Sequence, residues 1–142
     1  MSKPANTSGD RPLATTSDAR TRGIRVLVRS AYLPERSSPA DDNYFFTYRI
    51  RIANEGDETA QLVSREWVIT DASGNVEVVR GEGVVGEQPV LEPGEAFEYE
   101  SFCPLPTPSG TMQGRYTMIT GRGEELLVRI APFALEALHS IN

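Results

Sequence analysis

The chain has 142 residues, a formal charge of −6 and a single cysteine, Cys103, a length that suits one domain with its own core and a cysteine count that excludes an intramolecular disulfide. Residues 1–22 carry four basic and two acidic side chains, a balance of +2 that leaves −8 on the remainder; an acidic domain repels phosphate backbones, which argues against nucleic acid as a partner. No apolar run approaches the ~20 residues that span a bilayer and the first 22 residues contain no apolar leader core, so no membrane role and a cytoplasmic location are expected.

Residues 1–22 are rich in Ser, Thr, Pro, Ala and Asp, with Leu13 the only large aliphatic side chain. Such a stretch lacks the apolar area that offsets ordering entropy and reads as a disordered tail. A folded domain is predicted over residues 23–133. Ile24, Val26 and Val28 alternate with Arg25 and Arg29 as a half-buried strand, and Tyr44, Phe46, Tyr48, Ile50 and Ile52 repeat the pattern more strongly. A third strand over about Gln61 to Thr70 carries Trp67, and Asp71 to Asn75 turns the chain into a short strand at Val76 to Val79. Residues 81–94, with four glycines and two prolines, read as loop with one short pairing at Val90-Leu91. Phe97, Tyr99 and Ser101 open another strand, and Pro104, Pro106 and Pro108 exclude a central strand or helix after it. Two further strands fit Met112 to Thr120 and Glu125 to Ile130. Residues Phe133 to Leu138 suit one or two helical turns, and 134–142 a C-terminal tail.

About seven or eight short strands with turns every 8–12 residues predict an all-β sandwich of immunoglobulin or fibronectin type III character, with a closed barrel as the alternative. Arg25, Arg29, Arg49, Arg51, Arg115 and Arg129 fall on the outward faces of their strands, as do Glu98 and Glu100, which reads as a solvated charged surface.

Gly81-Glu82-Gly83-Val84-Val85-Gly86 is a literal GxGxxG, yet no helix can follow through Pro89 and Pro93, so the dinucleotide reading fails. Two readings of Gly81, Gly83 and Gly86 stay open: a connection that needs positive φ, and a nest of N–H groups for an anion. Arg65 shares a face with Val63, Trp67 and Ile69 by strict alternation. An arginine there marks a bulge or lays its stem over an aromatic ring, and an Arg beside a Trp is also what binding hot spots favour. His139 is the only histidine, so with Cys103 it offers at most a dyad, and a zinc site is poorly supplied. Cys103 alternates with Phe97 and Tyr99 and reads as a buried structural thiol. Glu98 with Glu100, and Asp41 with Asp42, are the carboxylate pairs closest to a cation site. No cofactor and no catalytic residue is expected.

Three segments together resemble the ApaG family: Arg65-Glu66-Trp67-Val68-Ile69-Thr70-Asp71, Arg80 through Gly86 to Pro89, and Pro93-Gly94-Glu95. The run from Tyr99 through Cys103-Pro104-Leu105 to Met112-Gln113-Gly114-Arg115-Tyr116 extends the resemblance. It implies a fibronectin type III-like sandwich, an association with cobalt and magnesium resistance or efflux, and a protein-interaction role. Glu66 stands where the family usually has histidine, and Phe102 where it has glycine; the bulk of Phe102 is expected to narrow what lies beside Cys103. The expected function is a non-catalytic module that binds a protein partner through Gly81, Gly83, Gly86, Arg65 and Trp67. The alternative is a sensor of small phosphate-containing ligands that uses the Gly81–Gly86 loop, with or without a divalent cation.

Overall fold

A computed structural model describes residues 13–137. Nine strands lie in chain order: β1 (Thr16–Thr21), β2 (Ile24–Tyr32), β3 (Tyr44–Asn54), β4 (Ala60–Asp71), β5 (Val76–Glu82), β6 (Val90–Leu91), β7 (Ala96–Leu105), β8 (Ser109–Thr120) and β9 (Glu125–Glu136). They form two antiparallel sheets, β1-β2-β3-β7 and β5-β4-β8-β9, with β6 added to the free end of β4. Two layers of alternating strands that bury one face each are the expected solution for this pattern. The core between them holds Val26, Phe46, Ile50 and Ile52 from the first sheet and Leu62, Tyr116, Met118 and Ile130 from the second, all essentially inaccessible. Pro104 sits in β7, an edge strand, where its missing N–H leaves no ladder bond unmade.

Two boundaries differ from the sequence reading. The expected tail over 1–22 overlaps β1, which pairs with β2 along its whole length. Apolar burial is not what holds it: Arg25 donates to both carboxylate oxygens of Asp18 at 2.9 and 2.7 Å, and Arg20 donates to Glu55 at 3.1 Å. Arg22 and Gly23, both at positive φ (48° and 87°), make the two-residue hairpin turn into β2. The second difference is at the C-terminal end. Residues 133–136 continue β9 instead of turning into a helix or a tail, because Phe133 and Leu135 alternate into the core and pair with Met112 and Gly110. Ala, Leu and Glu favour helix locally, and tertiary burial overrides that preference. The expected location of His139 lies outside the described residues.

Gly114 shows how closely the second sheet is built. It stands opposite Trp67 in β4, and a Cβ there would collide with the Glu66 carbonyl oxygen, a backbone atom that cannot swing away. Gly114→Ala is therefore expected to cost about 1–3 kcal/mol. A thermal melt that matches the unsubstituted protein would contradict this packing.

Candidate functional site

The site begins with an irregularity in β4. Leu62 and Ser64 pair with the adjacent residues Met118 and Thr117, so Val63 is an extra residue in the strand. Such a bulge reverses which parity faces inward. Leu62 points into the core before it, and Arg65, Trp67 and Ile69 face inward after it. The arginine on an apolar face is thus explained by a bulge, and Val63 does not share its face.

Arg65 ends at the mouth of the sandwich, where its Nη1 donates to the carbonyls of Glu82 (3.0 Å) and Gly83 (2.8 Å). Its guanidinium lies against Gly81, where a Cβ would come within 2.7–2.9 Å of three guanidinium atoms. The loop after β5 is tied to the bulge as well. Gly83 N–H and the Gln88 side-chain amide both donate to the Val63 carbonyl, at 2.8 and 2.9 Å. Gln61 Nε2 reaches the Gln88 carbonyl at 3.0 Å, and Leu62 N–H the Pro89 carbonyl at 3.0 Å.

The tip of that loop is a tight turn. Val84 and Glu87 exchange backbone hydrogen bonds of 2.8 and 2.9 Å around Val85 and Gly86, whose φ values are 44° and 81°. Both central residues are left-handed, which glycine accepts and a β-branched valine resists. Val85 is exposed at the tip, whereas Val84 is buried beneath it. The amides of Gly83, Val84 and Glu87 already donate within the protein.

Arg65, Glu82, Val84, Val85 and Gly86 form one wall of an inter-sheet cleft of about 280 Å³, and Tyr48, Tyr99 and Ser101 form the other. Tyr99 and Tyr116 share a short hydrogen bond beneath it. Burial raises the hydroxyl pKa of Tyr48, Tyr99 and Tyr116, and the Arg65 charge opposes the shift at all three. These hydroxyls stay protonated near neutrality, so the cleft offers neutral donors beside one permanent cation. Among the described residues no carboxylate lies within 4.0 Å of the Arg65 guanidinium.

The structure therefore brings Arg65, Gly81, Gly83 and Gly86 together and sets Trp67 apart. The indole is 2% exposed, packed edge-on to Tyr48 at 5.2 Å and Phe133 at 6.0 Å, and its Nε1–H has no hydrogen-bond partner. Trp67 backs the site and no ligand can reach it. The tyrosine pair and Tyr48 were missed as site residues. Their only signal was a hydroxyl at positions where the strand pattern asks for an apolar side chain.

The other singled-out groups have structural partners. Glu66 bridges Arg80 (2.7 Å) and Arg115 (2.9 Å) on the outer face of its sheet. Phe102 does not crowd Cys103: it faces outward, stacks on Phe45 at 5.7 Å and lies under the Arg36 guanidinium at 5.1 Å. Glu98 pairs with Arg51, and Glu100 accepts from Thr47. Asp41 accepts from Ser38 at 2.7 Å, and no group of three or more His, Cys, Asp or Glu among the described residues is gathered to hold a metal ion. No helix in the described residues is long and apolar enough to cross a membrane.

The sequence and the fold match those of known proteins. A family model for the ApaG domain matches residues 34–120. Protein ApaG of Rhodospirillum centenum is 57% identical over 119 residues, 84% of this chain and 92% of that protein. Protein ApaG of Anaeromyxobacter dehalogenans strain 2CP-1 is 55% identical over 126 residues, 89% of this chain and 99% of that one. A crystal structure described as the ApaA protein of Bordetella pertussis superposes with a TM-score of 0.78 at 46% identity, covering 88% of this chain and 97% of that chain. The C-terminal domain of wzt, at 12% identity and a TM-score of 0.54, shares the fold alone.

Two measurements check this geometry. Gly86→Ala leaves the tip unobstructed but forces alanine into left-handed φ, an expected loss of about 1 kcal/mol. Gly83→Ala adds a collision with the Glu87 carbonyl and should cost more; equal melting points would refute the turn. Burial, with a smaller push from Glu77, raises the Cys103 thiol to about 11. Because the folded value is raised, its contribution to stability is complete below the unfolded value and is lost as pH rises toward 11. Iodoacetamide should label the native protein slowly at pH 8 and the denatured protein fast; rapid native labelling would contradict the burial.

Proposed function

The chain belongs to the ApaG family, and from the geometry of its open seam we propose that it is a non-catalytic protein-binding module that acts in the cytoplasm. The sandwich is closed on one long side, where Arg129 N–H donates to Thr21 Oγ1 and Ala134 N–H to the Ala14 carbonyl, joining β9 to the first sheet's end. On the opposite side β7 and β5 flank the Arg65 cleft. The observation that carries the reading is β5 itself. It pairs only with β4 among the described strands, so its other edge offers unpaired backbone groups. It also exposes Val76 and Val78, 60% and 45% accessible, on the outer face of its sheet.

An edge strand with two exposed valines and no proline invites pairing with another chain, and its exposed charges, Glu77, Arg80 and Glu82, restrict which segment can pair. An extended partner segment would add to β5 through main-chain hydrogen bonds, with its apolar side chains over Val76 and Val78. Arg65 still has donors to spare beyond Nη1, so a carbonyl or carboxylate of the partner can bond to it at the cleft mouth. The association of bacterial family members with cobalt and magnesium resistance would then be exerted through the partner. Phosphate sensing by the Gly81–Gly86 loop is the weaker reading, because the amides of Gly83, Val84 and Glu87 are engaged.

Partners captured from extract of the source cells provide the test. Val76→Lys with Val78→Lys alters only exposed side chains, so the variant should fold and lose the proteins that the unsubstituted chain retains. A folded variant, and a folded Gly83→Ala/Gly86→Ala variant, that keep every captured protein would overturn the assignment.

A further inference from the structure

The outer face of the first sheet carries a feature that the seam does not use. A depression of about 740 Å³ lies over its central strands, with Leu27 on its floor and Arg29, Arg49 and Arg51 around it. Arg29 in β2 and Arg49 in β3 are direct cross-strand partners. Side chains so placed start ~4.5–5.5 Å apart at Cβ, and like charges in that relation repel.

Several arginines of this acidic chain are neutralised by carboxylates. Arg25 is held by Asp18 and Glu55, Arg51 by Glu98, Arg122 by Glu58, and Arg80 and Arg115 by Glu66. Neither Arg29 nor Arg49 has a carboxylate within 4.0 Å among the described residues. An acid is available: Glu100 stands opposite Arg49 in β7. Its carboxylate is instead occupied by Thr47 Oγ1 at 2.9 Å. The two acids that do line the depression, Asp18 and Glu98, are each paired with an arginine, Arg25 and Arg51. What remains is a pair of uncompensated guanidinium groups on neighbouring strands over a hollow.

We propose that Arg29 and Arg49 clamp the phosphoryl dianion of a small molecule whose remaining body lies along the depression over Leu27. A carboxylate is satisfied by one guanidinium fork. A phosphoryl group has three terminal oxygens and accepts from two forks at once, which suits two arginines that line one depression from neighbouring strands. The hollow is larger than a bare oxyanion needs, and its apolar floor suits the carbon body of an organic phosphate. The site is independent of the β5 edge and of the Gly81–Gly86 loop.

The test is titration of ¹⁵N-labelled protein with pyrophosphate at low salt, with acetate at matched ionic strength as control. Pyrophosphate should give saturable amide shifts centred on residues 27–31 and 47–51. Arg29→Gln/Arg49→Gln should weaken binding at least tenfold, whereas Gly83→Ala/Gly86→Ala should leave it unchanged. Both arginines are exposed, so the double variant should fold, and relief of their repulsion should keep its melting point at or above that of the unsubstituted protein. Absence of saturable shifts, shifts centred on residues 83–87, an equal response to acetate, or undiminished binding by the folded double variant would each overturn the proposal.

Discussion

The extra residue at Val63 is the constraint on which the site depends. A strand has a period of two, so one inserted residue exchanges the faces for everything after it. Leu62 fills the core on the β6 side of the bulge, and Trp67 fills it on the β5 side. A regular strand could bury one of these and not the other. The same exchange carries Arg65 inward at an open side of the sandwich, so that its stem lies along apolar surface while its head reaches the mouth. The Val63 carbonyl accepts both the Gly83 amide and the Gln88 side chain. The bulge therefore also positions the loop that covers it.

From this follows the distribution of glycine in the loop. At Gly81 the Arg65 guanidinium lies where a Cβ would be, so a larger residue would displace the arginine head, whereas Gly83 is fixed as glycine because its φ is 64° and the Glu87 carbonyl stands close. Gly86 alone meets nothing and answers only to its turn conformation. The GxGxxG pattern thus records a packed arginine, a close backbone approach and a tight turn, three separate needs that happen to fall at that spacing. Nucleotide-binding loops place glycines for different reasons, chiefly to let a phosphate approach a helix terminus.

How much of this was legible in the sequence depends on the range of the interaction involved. The alternation in Tyr44 to Ile52 and in Phe97 to Cys103 is local and strong, and both strands appear where that period predicts. Arg65 on an apolar face broke a local rule visibly, which made a bulge one of the two readings open from the sequence. β1 was not legible: its order comes from main-chain pairing with β2 and from Asp18–Arg25, neither of which leaves an apolar pattern. The end of β9 was misread for the opposite reason, since Ala134, Leu135 and Glu136 carry a local helical preference that only the facing β8 overrides. The tyrosine cluster needed three strands to converge, Tyr48 from β3, Tyr99 from β7 and Tyr116 from β8, and no single stretch of sequence contains that information.

The treatment of charge separates the two outer faces in a way the net charge of −6 does not suggest. On the second sheet, Glu66 lies between Arg80 and Arg115 at 2.7 and 2.9 Å and is mostly covered by them, a network that gives both cations an anion. Arg129, the cross-strand neighbour of Arg115, has no carboxylate within 4.0 Å among the described residues. On the first sheet the register would allow the same closure, since Arg51 faces Glu98 and Arg49 faces Glu100 across β3 and β7. Only the first of these pairs forms; the hydroxyl of Thr47, two residues along the same face of β3, holds Glu100 instead. An exposed ion pair is worth little in water, ~0–1 kcal/mol, so stability alone selects weakly between the two partners of Glu100. The consequence for the field is larger than the consequence for folding. It leaves positive potential concentrated over β2 and β3 of an otherwise acidic domain, and a localised field of that kind governs what the surface attracts far more than how firmly the sheet is held.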